Sequence, residues 1–322
     1  MVFSAPVRAQ RAWVQDWVRD YASGQYAEVA GRLKTVVNLR PLEDDLEKVS
    51  KTWLKTEPVD QRRRELGAFA LEAALAHADQ GASAGRLVEW GCRQIRRVTK
   101  PGEFEHRWHL AAFAALAGAV DPDSLQAHVV HMRFHFPNEP RLVFERAVAT
   151  ELSTADFFTE GKASAAELRE RTTEAAKRYR EATASPDAGV RAEAWLRLGR
   201  VESELGNSDA ALVDLDQAAA LTTDPALRYL LALFRGRALE RLGQPDAARQ
   251  AYRAALDLAP GAHAATISLA ALLFRQGERL EADRLIRALL GNPPAADPWL
   301  LYWPADYRHA ATLVQAMREA LK

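Results

Sequence analysis

A 34-residue period in the C-terminal third constrains this chain more than any other feature. Gly243 and Gly277 stand 34 residues apart, as do Pro260 and Pro294, Ala248 and Ala282, and Tyr252 and Ile286. A unit this short cannot bury its apolar side alone, so such a period implies stacked copies sharing one continuous core. Within each unit the order of residue types is the same. A small residue (Gly236, Ala270) precedes the glycine, a second small residue (Ala248, Ala282) follows it, then a bulky one (Tyr252, Ile286) and a closing proline. The unit before these carries Trp195, Leu198, Gly199, Gly206, Ala211, Leu215 and Ala218 in the same phase, with its proline displaced to Pro225. Each type has a physical use. Small residues let two helices approach closely while the bulky ones fill the hole beside them. Glycine takes the left-handed conformation that ends a helix, and proline stops the next one. Sustained period-two runs of β-branched residues are missing, whereas helical periodicity rich in Ala, Leu, Arg and Glu is general.

This order and spacing resemble the tetratricopeptide repeat. The resemblance implies an all-α fold: a right-handed α-solenoid of antiparallel helix pairs, one continuous superhelix with a C-terminal capping helix. It is clearest in a repeat region spanning 161–296, with units at about 192–228, 229–262 and 263–296. Residues 11–160 read as degenerate helical hairpins behind a flexible tail, 1–10. There Trp13, Gly24 and Pro41 echo the repeat with Leu33 between them, but Trp17 stands where a small residue is expected, which predicts looser packing. Residues 42–56 (Leu46, Val49, Trp53) read as a single amphipathic helix. Residues 61–98 and 103–136 read as hairpins broken near Gly81 and at Asp121-Pro122-Asp123, and 139–184 as a pair with a loop at about 155–164. In the last segment, 297–322, Trp299, Tyr302, Trp303 and Tyr307 are expected to cap the apolar face of the final repeat. The alternative is a partner-docking patch, since Trp and Tyr dominate interface hot spots.

Charge narrows the function classes. The 43 basic residues balance 43 acidic ones, which argues against a nucleic-acid or anionic-membrane partner, both of which need a basic field. No apolar run reaches the ~20 residues of a membrane-spanning helix. Cys92 is the lone cysteine, so an internal disulfide or cysteine-rich metal site is excluded and a small buried apolar role is expected. This suits the cytoplasm. Val7-Arg8-Ala9 fits the small-residue pattern of a signal-peptidase site without a long apolar stretch before it, leaving an exported or periplasmic protein as the alternative.

Catalytic motifs fail in context. Gly81-Ala82-Ser83-Ala84-Gly85 spells a hydrolase nucleophile turn, but that turn needs a strand before it, and here a helical pattern (Phe69 to His77) precedes it. Ser83 then reads as a helix N-cap. Phosphate-loop, dinucleotide and His-Glu-x-x-His motifs are missing, so no enzyme activity and no cofactor are expected. Five of eight histidines fall between 106 and 135. His128, His131 and His135 share one helical stripe, and His106 and His109 share a face of the preceding helix. Imidazoles from two helices can hold a divalent ion, which makes a metal-dependent enzyme or sensor the alternative function. The simpler reading sets them at the polar margin of a buried stripe of Leu125, Val129, Met132 and Phe136, with Glu103 and Glu105 the nearest carboxylates.

The family resemblance implies a protein-binding adaptor whose first helices line a concave groove for a peptide or partner helix. Carried over, the groove residues are Glu193, Leu196, Arg197 and Arg200, then Leu230, Leu233, Phe234, Arg237 and Arg241, then Ile267, Phe274 and Arg275. Chaperone-binding relatives grip a terminal carboxylate with Lys and Asn; here Arg200, Arg237 and Ala271 stand where that Asn would be. Arginines beside aliphatic and aromatic side chains instead predict an acidic, partly hydrophobic peptide, unless the arginines are spent on Glu193, Glu204 and Glu240.

Overall fold

In the computed structural model of the chain, residues 7–77, 82–118, 122–159, 164–291, 297–302 and 310–322 are described. The tail residues 1–6, Gly81, Asp121, Pro294, Trp303, Tyr307 and residues 160–163 lie outside them. The loop expected at about 155–164 begins later than its spacing suggested, since the helix before it runs on to Thr159. Every regular element among the described residues is helical. Contacts divide the chain into two compact units, Met1–Glu139 with Tyr307–Lys322, and Pro140–Asp306.

The second unit holds α8 (Arg141–Thr159), α9 (Ala165–Ala182), α10 (Ala188–Leu205), α11 (Ser208–Leu221), α12 (Pro225–Arg241), α13 (Pro245–Leu258), α14 (His263–Arg275) and α15 (Arg279–Gly291), followed by a single 3-10 turn, Pro298–Leu301. Successive helices pack as pairs, α8 with α9, α10 with α11, α12 with α13 and α14 with α15. The starts are written in the sequence. The Asp187 and Asp224 carboxylates accept the first free amides of α10 and α12, and Ser164 and Glu167 form a reciprocal capping box on α9. The stops are glycines: Gly206 sits at φ 94°, open to a glycine and strained for other residues, and the Asn207 amide then closes back on Glu202. The small-to-bulky pairing is literal. A Cβ on Gly236 would stand 2.4 Å from Tyr252, and one on Gly199 would stand 2.8 Å from Leu215.

The first unit holds α1 (Val7–Ala22), α2 (Tyr26–Leu33), α3 (Arg40–Trp53), α4 (Val59–Leu75), α5 (Ala82–Ile95), α6 (Glu103–Gly118), α7 (Pro122–His135) and, from the far end of the chain, α16 (Ala310–Leu321). Close approach here uses Gly67, whose absent Cβ makes room for Ile95, and Gly91, which faces Trp108; the Trp108 indole N–H donates to the Gly67 carbonyl at 2.8 Å. Trp13 and Trp17 stand half-buried with ring centroids 4.2 Å apart, beside a cleft of about 400 Å³ shared with Val36 and Pro41.

One expectation needs correcting. The 297–322 segment was expected to cap the last repeat, yet α16 packs on α4 and α6 in the first unit. The reason lies in α6, whose run from Trp108 to Ala117 is buried without interruption. A helix apolar on all sides must be covered on all sides, and α16 contributes Val314, Met317 and Leu321. Two polar ties hold it. Arg318 makes a two-pronged ion pair with Glu72 (2.6 and 2.9 Å), which also accepts the Tyr21 hydroxyl, and Gln61 donates to the Leu321 carbonyl.

Candidate functional site

In the second unit, helical spacing puts Glu193, Arg197, Arg200 and Glu204 on one side of α10. Residues expected to await a partner there are already engaged by the chain itself. Arg197 is fully buried: it donates to Glu151 (3.1 Å), to the Tyr179 hydroxyl (3.3 Å) and to the Tyr302 carbonyl, and pairs with Glu193. Arg200 pairs with the other oxygen of Glu151 and with Glu204. The hydroxyls of Tyr179 and Tyr302 also donate to Glu151, so one carboxylate collects two guanidinium groups and two phenols. Burial works against the charge on Arg197 and Arg200, but the surrounding phenols and carboxylates outweigh it and hold both well above the ordinary arginine range. Burial, with the Glu151 charge, pushes the Tyr179 and Tyr302 phenols up, so they remain donors.

Tyr302 belongs to the segment Asp297–Tyr302, which lies along α12. Asp297 starts the turn by accepting the Trp299 amide and ties it to α14 through the Ala264 amide. Trp299 and Tyr302 stack at 5.1 Å, and both meet Phe234 edge-on. Trp299 and Tyr302 therefore do pack on the repeats, but across the first helices of the pairs. Leu196, Leu230, Leu233 and Phe234, with Glu193 and Arg197, are core rather than exposed groove lining.

The remaining predicted groove residues separate into three groups. Arg241 donates to the Ser203 hydroxyl at 2.8 Å and Arg275 pairs with Glu240. Ile267 and Phe274 are exposed and line a separate cleft on α14 and α15. Neither Arg237 nor Arg241 forms an ion pair among the described residues; Arg241 has the Ser203 hydroxyl instead, and Arg237 has aromatic rings beside it. The Arg237 guanidinium lies 5.3 Å from the Trp299 ring centroid and 5.9 Å from that of Phe234. Burial, then the neighbouring Arg200 charge, lowers its proton affinity. Next to Trp299 opens a cleft of about 850 Å³, bordered by Leu168, Thr172, Arg200, Glu204 and Arg241.

The histidines of the first unit are deeper than their expected place at a polar margin. His109, His128 and His131 are buried where α6 meets α7, with ring centroids of His128, His131 and His135 5.1–5.7 Å from that of His109. His128 donates from Nε2 to the His109 carbonyl, leaving Nδ1 to face the Cys92 thiol at 3.5 Å. Arg96 donates to His131 Nδ1 at 3.0 Å. His106 stands apart, bonded to Glu139. Burial lowers His109, His131 and His135, takes His128 to about 4 and His131 to about 3, and pushes the Cys92 thiol up to about 12. These groups are thus neutral near pH 7. Glu105 is spent on Arg64 and the Gly102 amide, and no group of three or more His, Cys, Asp or Glu side chains is arranged to hold a metal ion among the described residues. Ser83 lies in the first turn of α5, after a helix, and accepts from Arg86.

Sequence reasoning missed Glu151, Tyr179 and Tyr302 as a unit. Only the aromatic crowding at 299–307 signalled them, because nothing in the repeat period links residue 151 to 302.

A family model for a tetratricopeptide repeat-like domain matches residues 158–282. No curated protein matches the chain. Among solved structures, one chain from the APC/C hetero-tetramer Cut9-Hcn1 is similar with 14% identity and a TM-score of 0.43, over 91% of this chain and 51% of that one. The chain thus spans about half the length of the solved chain it matches. With its helix pairs, turn glycines and small-to-bulky contacts in place, the stretch 158–282 belongs to the tetratricopeptide-repeat family.

Proposed function

We propose that the second unit is a protein-interaction scaffold that takes an acidic, partly hydrophobic peptide along the cleft beside Trp299. The observation that carries this reading is Arg237. Burial and the Arg200 charge leave the Arg237 guanidinium in an unfavourable field, which the Trp299 and Phe234 rings and the Glu204 charge offset only in part. A partner's Asp or Glu relieves that field and gains a charge-assisted bond in a partly dry setting. Arg237 does not itself line the cleft but lies over the ring of Trp299, which does, together with Leu168 as apolar wall. The chain's own segment supports the same chemistry, since Asp297–Tyr302 brings a carbonyl oxygen to Arg197 and aromatic rings to Phe234. The test is affinity purification of the wild-type chain followed by binding measurements on the recovered partner. Arg237→Glu weakens that partner at least about tenfold, the scale of a desolvated ion pair. Arg253→Glu, an exposed position on α13 paired with Glu281, leaves it unchanged. Equal affinity in wild type and Arg237→Glu overturns the reading.

A further inference from the structure

The last helix pair carries a second surface of different chemistry. Ile267, Ala270, Ala271 and Phe274 on α14 stand at the spacing 0, 3, 4, 7, and so do Arg279, Ala282, Asp283 and Ile286 on α15. Both sets line one cleft of about 500 Å³. One repeat earlier the counterparts are Leu233, Gly236, Arg237 and Glu240 on α12, and Pro245, Ala248, Arg249 and Tyr252 on α13. There α14 packs on both helices, Leu233 and Tyr252 are fully buried, and Glu240 pairs with Arg275 of α14. At the open end Ile267 is 53% exposed and Phe274 58% exposed.

The substitutions between the two faces run in an informative direction. Arg237 and Glu240 become Ala271 and Phe274, and Tyr252 becomes Ile286. A terminal repeat left in water needs an outer face more polar than its inner ones; this one is less polar. It has the character of an inter-repeat interface without the following repeat, and exposed apolar patches of this kind mark association sites.

We infer that this face pairs with the same face of a second copy of the chain across a two-fold axis. Charge complementarity selects that occupant. Arg279 and Asp283 lie four residues apart on α15. Antiparallel α15 helices crossing midway between them, beside Ala282, therefore set each against its opposite on the other copy. There Asp283, which pairs with Arg287 of its own helix at 2.7 Å, takes a second cation. Ala282 allows close approach, while Ile267, Phe274 and Ile286 fill the space on either side. Arg279 already lies over the Phe274 ring at 5.4 Å, so its charge sits at the edge of the apolar patch.

The experiment is sedimentation velocity of the full chain over a concentration series. Wild type is expected to show a monomer–dimer equilibrium, and Ile267→Glu/Phe274→Glu to weaken it at least about tenfold by placing unpaired charges in the contact. Arg279→Asp alone and Asp283→Arg alone each weaken it, and the double swap restores it, which a merely structural effect would not do. A wild-type monomer throughout overturns the inference. So does a dimer indifferent to the Ile267/Phe274 change, or a monomer whose photo-crosslinker at position 274 captures a different protein. Circular dichroism on each variant separates lost association from lost fold.

Discussion

Single residues set how closely helices approach in this protein, and glycines show it most directly. At Gly236 the space a Cβ needs is taken by the Tyr252 ring. Adding a methyl group there forces the ring or helix to shift, which costs about 1–3 kcal/mol against a helix-propensity gain of about 1 kcal/mol. At Gly31 in α2 nothing lies within 4 Å of the same atom. Gly236→Ala is therefore expected to lower the urea midpoint, and Gly31→Ala to leave it unchanged or raise it slightly. Equal effects would mean that propensity, not packing, decides both positions. The same scale explains Glu151: removing it would leave two buried guanidinium groups without their shared carboxylate, so its role is structural before it is anything else.

At the scale of elements, the α6–α7 contact is expected to weaken in acid. His109, His128 and His131 are buried with lowered proton affinity, so the unfolded chain binds protons there at a higher pH than the folded one. The sign follows from linkage. Stability rises with pH wherever the unfolded state holds more protons, so it is full above the ordinary histidine value of about 6.5. It is lost as pH falls from there towards about 4 for His128 and about 3 for His131. Chemical denaturation at pH 8, 7, 6 and 5 is expected to show a midpoint steady between 8 and 7 and falling below. His109→Leu should make that fall shallower, because both His109 ring nitrogens lack partners among the described residues and an apolar side chain of similar size replaces them without stranding a bond. A pH-independent midpoint, or a slope unchanged by His109→Leu, would contradict this.

For the molecule as a whole, the chain's end returns to its beginning: α16 closes the apolar circumference of α6 and sets Arg318 against a Glu72 that is itself buried. Ending the chain at residue 309 is expected to expose that side of the first unit and lower its thermal midpoint. Arg318→Ala should produce much of the same loss by leaving Glu72 charged and unpaired, on the order of 3 kcal/mol. Hydrogen exchange localises the effect: protection is expected to fall in α4 and α6 and to hold in α12 and α13. Unaltered protection in α6 would contradict the role given to α16. The repeat was legible because Gly199 with Leu215 and Gly236 with Tyr252 are neighbours within one unit, and short-range packing recurs with the period that encodes it. Upstream, where apolar spacing suggested a helix over 42–56, the structure has α3 at Arg40–Trp53. The groove was not legible. Arg197 and Arg200 looked available because their partner Tyr302 lies more than 100 residues away, and Arg318 meets Glu72 across 246. The sequence by itself determined the helices, their pairing over 158–282 and their turns, since these rest on local propensity and near-neighbour size. Only the tertiary structure decided which apolar and charged faces the chain would cover with itself. Such coverage depends on burying whole surfaces, and no spacing rule records it.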